Sequence, residues 1–137
     1  MRRAPLWLVL IGSAIVIVGV LVQAFTIAAF VRGAGTDALD AHQTGSIFVH
    51  FGELAVVVGA IWAWWRNWNA IGLAIAFLGL SFAQLAFIGN TDEQGGWING
   101  LHGFLALVLL LAASAYLVRA RRELGLGSAA VTERSRY

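Results

Sequence analysis

Leu6–Phe30, LWLVLIGSAIVIVGVLVQAFTIAAF, contains no charged residue. A helix rises ~1.5 Å per residue and the hydrocarbon core of a bilayer is ~30 Å thick, so ~20 mostly apolar residues make a span. Arg2 and Arg3 precede the stretch and Val22-Gln23-Ala24 resembles a signal-peptidase site. The run is nevertheless too long for the ~7–15-residue apolar core of a signal peptide, and it reads as an uncleaved first span. Three more apolar blocks follow, at Thr44–Trp65, Ala70–Ile88 and Ile98–Val118. Short connections make successive spans antiparallel neighbours, so the expected fold is all-α, an integral membrane four-helix bundle running up-down-up-down. Residues 1–122 would form the transmembrane domain. The Gly-, Ser- and charge-containing residues 123–137 read as a mobile cytoplasmic tail.

Composition supports this frame. The 137 residues are 60% hydrophobic and only 12% charged, where a soluble domain carries about 25% charged residues. Mean hydropathy is +0.81. The absence of cysteine excludes disulfides, thiolate zinc sites, iron–sulfur clusters and thioether-linked haem. All nine basic residues are arginine and raise the pI to near 9.9, and their positions at the ends of the apolar blocks account for them better than a nucleic-acid surface does. Phosphate-loop, dinucleotide-binding and hydrolase-triad patterns are absent.

The arginines also orient the chain. Placing both termini and the Trp65–Asn69 turn in the cytoplasm puts Arg2, Arg3, Arg66, Arg119, Arg121, Arg122, Arg134 and Arg136 inside and leaves Arg32 outside. The outer loops would then carry Asp37, Asp40, Asp92 and Glu93. The expected location is the inner, cytoplasmic membrane of a bacterium. Trp62, Trp64, Trp65 and Trp68 crowd the inner turn, with Trp7 and Trp97 at other span ends, and all six read as interface anchors.

Ionisable side chains inside spans are costly and mark candidate functional positions. Here they are His42, His50 and Glu53 on the second span and His102 on the fourth, joined by Gln23 and Gln84 on the first and third. At ~100° per residue, His42, Ser46, His50 and Glu53 form one polar stripe. Gly45, Gly52 and Gly59 recur on the opposite side, where a neighbouring helix, or a second protomer in a homodimer, could approach closely. Asn99, His102, Ala106, Leu109 and Ala113 share a face of the fourth span, whose small side chains leave room for a flat cofactor.

Counting from the arginine-marked ends places His50 ~7 Å and His102 ~5 Å below the outer boundary, with His42 above it. Two imidazoles that ligate one iron need similar depth on facing helices, which favours His50 with His102 and keeps His42 as the alternate ligand. Three readings stay open: a bis-histidine haem, a non-haem metal site of His50, His102 and Glu53, and histidines serving only as interfacial or hydrogen-bonding groups. Glu53, ~12 Å into the apolar layer by the same count, is expected to hydrogen-bond a ligating histidine or to carry a redox-linked proton. Arg32 would pair with a haem propionate or with Asp37 or Asp40.

A weak repeat crosses this assignment. Gln23 precedes His42 by 19 residues and Gln84 precedes His102 by 18, which equates His42 with His102. Gln84-Leu-Ala-Phe-Ile-Gly89 followed by Leu101-His102-Gly-Phe-Leu-Ala106, together with Phe48-Val-His50-Phe-Gly-Glu-Leu-Ala55, resembles one four-helix half of the haem A synthase family. More loosely, the chain is similar to the small four-helix b-type cytochromes of bacterial membranes. It also looks like small four-span proteins of high-GC bacteria whose second span begins Asp-Ala-His, as in Asp40-Ala41-His42. The resemblance covers roughly residues 23–118 and implies haem b held by His50 and His102. Ile47 stands where those synthases carry a glutamate, and the outer-loop cysteines and second half are missing, so it implies haem binding rather than haem oxidation.

Taken together, these features lead to the expectation of a haem-b-binding membrane protein passing electrons between a quinone or membrane redox complex and an outer acceptor. A cofactor-free accessory subunit of a membrane complex and a proton- or metal-handling transporter are the alternatives.

Overall fold

The computed structural model describes residues 3–88 and 93–126. Four helices account for them: α1 (Arg3–Val31), α2 (Thr36–Ala63), α3 (Trp68–Ala86) and α4 (Glu93–Leu124). All four are long and apolar enough to cross a membrane, so the all-α bundle expected from the four apolar blocks is the fold found. Arg2, Gly89, Asp92, Arg134, Arg136 and most of the tail lie outside the described residues.

The helices outrun the apolar blocks that mark them. α2 begins at Thr36 rather than Thr44, and α4 runs from Glu93 to Leu124 rather than from Ile98 to Val118. Hydropathy reports only the part of a helix that lipid can cover, whereas the hydrogen-bond ladder continues into polar residues until a cap stops it. α1 and α4 stop alike. Gly33 and Gly125 take positive φ of 92° and 76°, and each pair of closing bonds has the Schellman pattern: Ala34 N–H to Ala29 O and Gly33 N–H to Phe30 O, then Leu126 N–H to Arg121 O and Gly125 N–H to Arg122 O. The turn between α2 and α3 uses no glycine. Arg66 takes φ 76°, and Asn67 caps α3 by accepting the Ala70 N–H at 3.1 Å.

Consecutive helices pack together and α4 returns against α1, so α2 and α4 face each other across the bundle. The tightest contact is between α1 and α2. A Cβ on Gly52 would collide with the Gly12 carbonyl, one on Gly59 with Val9 and Pro5, and one on Gly45 with the Gln23 amide. The glycines of α2 therefore face α1 of the same chain. This corrects the expectation of a homodimer through Gly45, Gly52 and Gly59, because the backbone approach they permit is already taken by α1.

The close-packed core lies toward the α2–α3 turn, here called the turn end. It includes Leu6, Val9 and Val16 of α1, Val56 and Ala60 of α2, Ala74 and Phe77 of α3, and Leu109 and Ala113 of α4. Trp64 belongs to it at 4% exposure, which corrects its reading as an interface anchor. Its ring stacks on Tyr116 at 6.0 Å, lies 3.8 Å beneath the Arg119 guanidinium, and donates its indole N–H to Glu123 at 3.0 Å. Arg119 also donates to Glu123 at 3.1 Å. Glu123, expected at the start of a mobile tail, is thus a helical residue tying α4 to α2. Trp7, Trp62, Trp65, Trp68 and Trp97 are exposed, as membrane-facing residues should be.

Candidate functional site

Toward the opposite, loop end the packing loosens. From Gly96 to Val108 no residue of α4 is buried, and none of α3 from Phe82 to Ala86. Gly96, Gly100 and Gly103 have nothing within 4 Å of where a Cβ would stand. All the polar residues singled out above, Glu53 apart, lie half-buried or exposed in this half of the bundle.

Each histidine is held by one nitrogen. His42 Nδ1 lies 3.0 Å from the Gln23 carbonyl and 3.5 Å from the Thr26 hydroxyl. His102 Nδ1 lies 2.8 Å from the Gln84 carbonyl. A carbonyl only accepts, so in both rings Nδ1 carries the proton and the neutral ring leaves its Nε2 lone pair free. The weak repeat thus has a local geometry: a histidine bonded to the main chain of a glutamine on the preceding helix. Both glutamines were expected as side chains, yet their backbone oxygens make these contacts. Gln84 sits in the last turn of α3, where its carbonyl accepts the Phe87 N–H at 3.2 Å and keeps a second lone pair for His102.

His50 is anchored differently. Its Nδ1 donates to Glu53 Oε2 at 2.8 Å, one turn along α2. Ser81 of α3 donates its hydroxyl to the same oxygen and lies 3.4 Å from His50 Nδ1. Glu53 is 1% exposed, and two donors on one oxygen offset part of the cost of burying a carboxyl. The expected contact of Glu53 with a histidine is present. Ser81 was missed because no pattern within one helix reveals which residue of another helix stands opposite.

α3 also relates the histidine levels. Ser81 reaches Glu53, and Gln84, three residues or ~4.5 Å nearer the loop end, holds His102. His50 is likewise three residues from Glu53 toward the loop end. The ring of His50 on α2 thus lies beside Ser81, and that of His102 on α4 beside the Gln84 carbonyl, about one turn nearer the loop end, while His42 is eight residues, or ~12 Å, from His50 toward the loop end.

The other expected site residues are peripheral. Arg32 is exposed and, among the described residues, forms no ion pair with Asp37 or Asp40. Asn99 is exposed on α4, one turn before His102. Among the described residues no three of His, Asp or Glu gather to hold a metal ion, which corrects the non-haem site of His50, His102 and Glu53. The physical reason is that Glu53 bonds His50 rather than pointing with it at a shared centre. A groove of about 300 Å³ between α3 and α4, lined in part by Leu73, Phe77, Leu80, Ala112 and Tyr116, opens at the turn end, away from the histidines.

Neither a family model, nor a curated protein, nor a solved structure gives a significant match to this chain.

Proposed function

We propose that the protein binds haem b and transfers electrons in a bacterial inner membrane, with His50 and His102 as axial ligands and His42 as the alternate. The carrying observation is that both rings, on helices that face each other within about one turn, are fixed through Nδ1 to oxygen acceptors. That arrangement orients a histidine ligand, fixes its tautomer and leaves Nε2 for a metal. The loosely packed loop end, where α4 buries no residue from Gly96 to Val108 and Ala106 presents only a methyl group on the face of His102, would leave space for a flat group. Bound haem would supply one-electron chemistry. The chain contributes ligand orientation, through Glu53, Ser81 and the Gln84 carbonyl, and an apolar surround. Arg66, Arg119, Arg121 and Arg122 at the turn end support a cytoplasmic position for that end and for both termini. The electron partner on the membrane side is a quinone or a membrane redox complex.

A second reading, an accessory subunit without a cofactor, draws on the same loose packing: α4 buries no residue from Gly96 to Val108, as expected of a helix awaiting a protein partner. An absorption spectrum of the detergent-purified protein, expressed with ample haem and recorded before and after dithionite, separates the two. A Soret band with sharp reduced α and β bands supports the haem reading. A colourless protein refutes it and turns attention to co-purifying partners.

A further inference from the structure

Four buried side-chain atoms have no partner among the described residues, Ser13 Oγ, Gln23 Nε2, Glu53 Oε1 and Tyr116 Oη. Ser13 on α1 and Glu53 on α2 are the two whose residues are almost wholly buried, at 0% and 1% exposure. Serines and threonines in apolar helices commonly turn their hydroxyls back onto their own backbone. Thr26 bonds Val22 O, Ser46 bonds Gln43 O and Ser114 bonds Leu110 O. Ser13 makes no such bond.

The glycine contact brings the two orphans to one place. Gly12 and Gly52 touch backbone to backbone. In antiparallel right-handed helices, the residues that follow two such facing positions rotate to the same side of the helix pair. Ser13 and Glu53 are those residues, and since both are buried, that side is the bundle interior. α3 adds Ser81, already bonded to the other carboxyl oxygen. α4 presents Ala106 near this level, one turn beyond His102, with only a methyl group.

We propose that one internal water molecule bridges Ser13 Oγ and Glu53 Oε1, completing a polar layer drawn from α1, α2 and α3. It accepts the serine O–H and donates to the carboxyl oxygen. A buried water needs ~2–4 polar partners, whereas a hard cation takes ~6 or more oxygen ligands, and the three side chains here cannot supply them. With the water present both oxygens of Glu53 are engaged, Oε2 by His50 and Ser81 and Oε1 by the bridge. Ser13 is thereby a positioning residue that acts through water on Glu53 and so on His50.

The test does not depend on haem. In the infrared spectrum of the full-length protein, the carboxyl band that disappears in Glu53→Gln is expected to shift in Ser13→Ala, and a water O–H stretch sensitive to H2-18O should vanish in both variants. An unmoved Glu53 band would overturn the proposal. Thermal unfolding in detergent gives an independent sign: loss of a bridging hydroxyl lowers the midpoint, whereas removal of an orphan hydroxyl from a dry gap raises it. An experimental structure in which Ser13 and Glu53 bond each other directly, or bound sodium in elemental analysis that Ser13→Ala abolishes, would also overturn it.

Discussion

Glu53 is the residue on which the middle of the bundle turns. A carboxyl with 1% exposure must be matched by donors, and Ser81 and His50 converge on one of its oxygens. Removing a partner from a buried polar group costs about 1–3 kcal/mol, so Ser81→Ala is expected to lower stability by that amount in detergent unfolding. The loss should shrink in a Glu53→Gln background, and the double-mutant cycle should give a coupling of ~0.5–3 kcal/mol, the range for side chains in one hydrogen-bond network. Additive losses would show that the two residues do not act together. Gln84 behaves differently, because its main chain is what holds His102. If haem is bound as proposed, Gln84→Leu is expected to keep its low-spin spectrum, while His50→Ala and His102→Ala each abolish it and His42→Ala leaves it intact. Loss in His42→Ala with retention in His50→Ala would transfer the ligand pair to His42 and His102.

At the scale of helices, the two hairpins of the bundle differ in how their glycines are used. Gly12 and Gly52 bring α1 and α2 into backbone contact, but Gly72 and Gly79 of α3 have nothing within 4 Å of an added Cβ. Gly52→Val therefore overpacks a closed interface and should cost about 1–3 kcal/mol. Gly79→Ala should stabilise by up to about 1 kcal/mol, the difference in helix propensity. Equal effects at the two positions would contradict the packing described here. Arg66 occupies a left-handed position, which for a residue with a Cβ costs ~1–2 kcal/mol. Arg66→Gly should relieve part of that strain and raise the unfolding midpoint. Much at this scale was legible in advance. Apolar runs marked all four helices, and the seven-residue glycine spacing marked a close helix contact. The chain could not say that α1, rather than a second copy, fills that contact, because every span is apolar enough to be the neighbour. It also could not separate Trp64 from the tryptophans beside it: its burial depends on Tyr116 and Arg119, more than fifty residues away. The i, i+3 pair of His50 and Glu53 was readable from one helix alone. Ser81 and the Gln84 carbonyl needed the register of α3 against α2 and α4, which hydropathy does not encode.

Over the whole molecule, packing is divided between the two ends. Trp64, Tyr116, Phe77, Arg119 and Glu123 lock the turn end, with Phe77 edge-on to Tyr116 at 5.7 Å, whereas α4 from Gly96 to Val108 buries no residue. Local opening follows such differences, since segments with few buried contacts open at lower free energy than a packed core. Amide hydrogen exchange of the detergent-solubilised protein is therefore expected to be faster in residues 96–104 than in residues 109–120 of the same helix. Similar rates along α4 would mean that the loop end is closed more tightly than the packing indicates. The same experiment weighs the two functional readings at full scale. A ligand that binds only the folded protein stabilises it, and the protection concentrates where contacts are made. If haem is held by His50 and His102, loading should slow exchange around residues 46–54 and 98–106 while leaving the Trp64 and Tyr116 cluster unchanged. Protection spread evenly over both ends would indicate general tightening of the bundle instead. Protection that appears only with a co-purified protein, and in the absence of haem, would identify the loop end of α4 as a subunit contact.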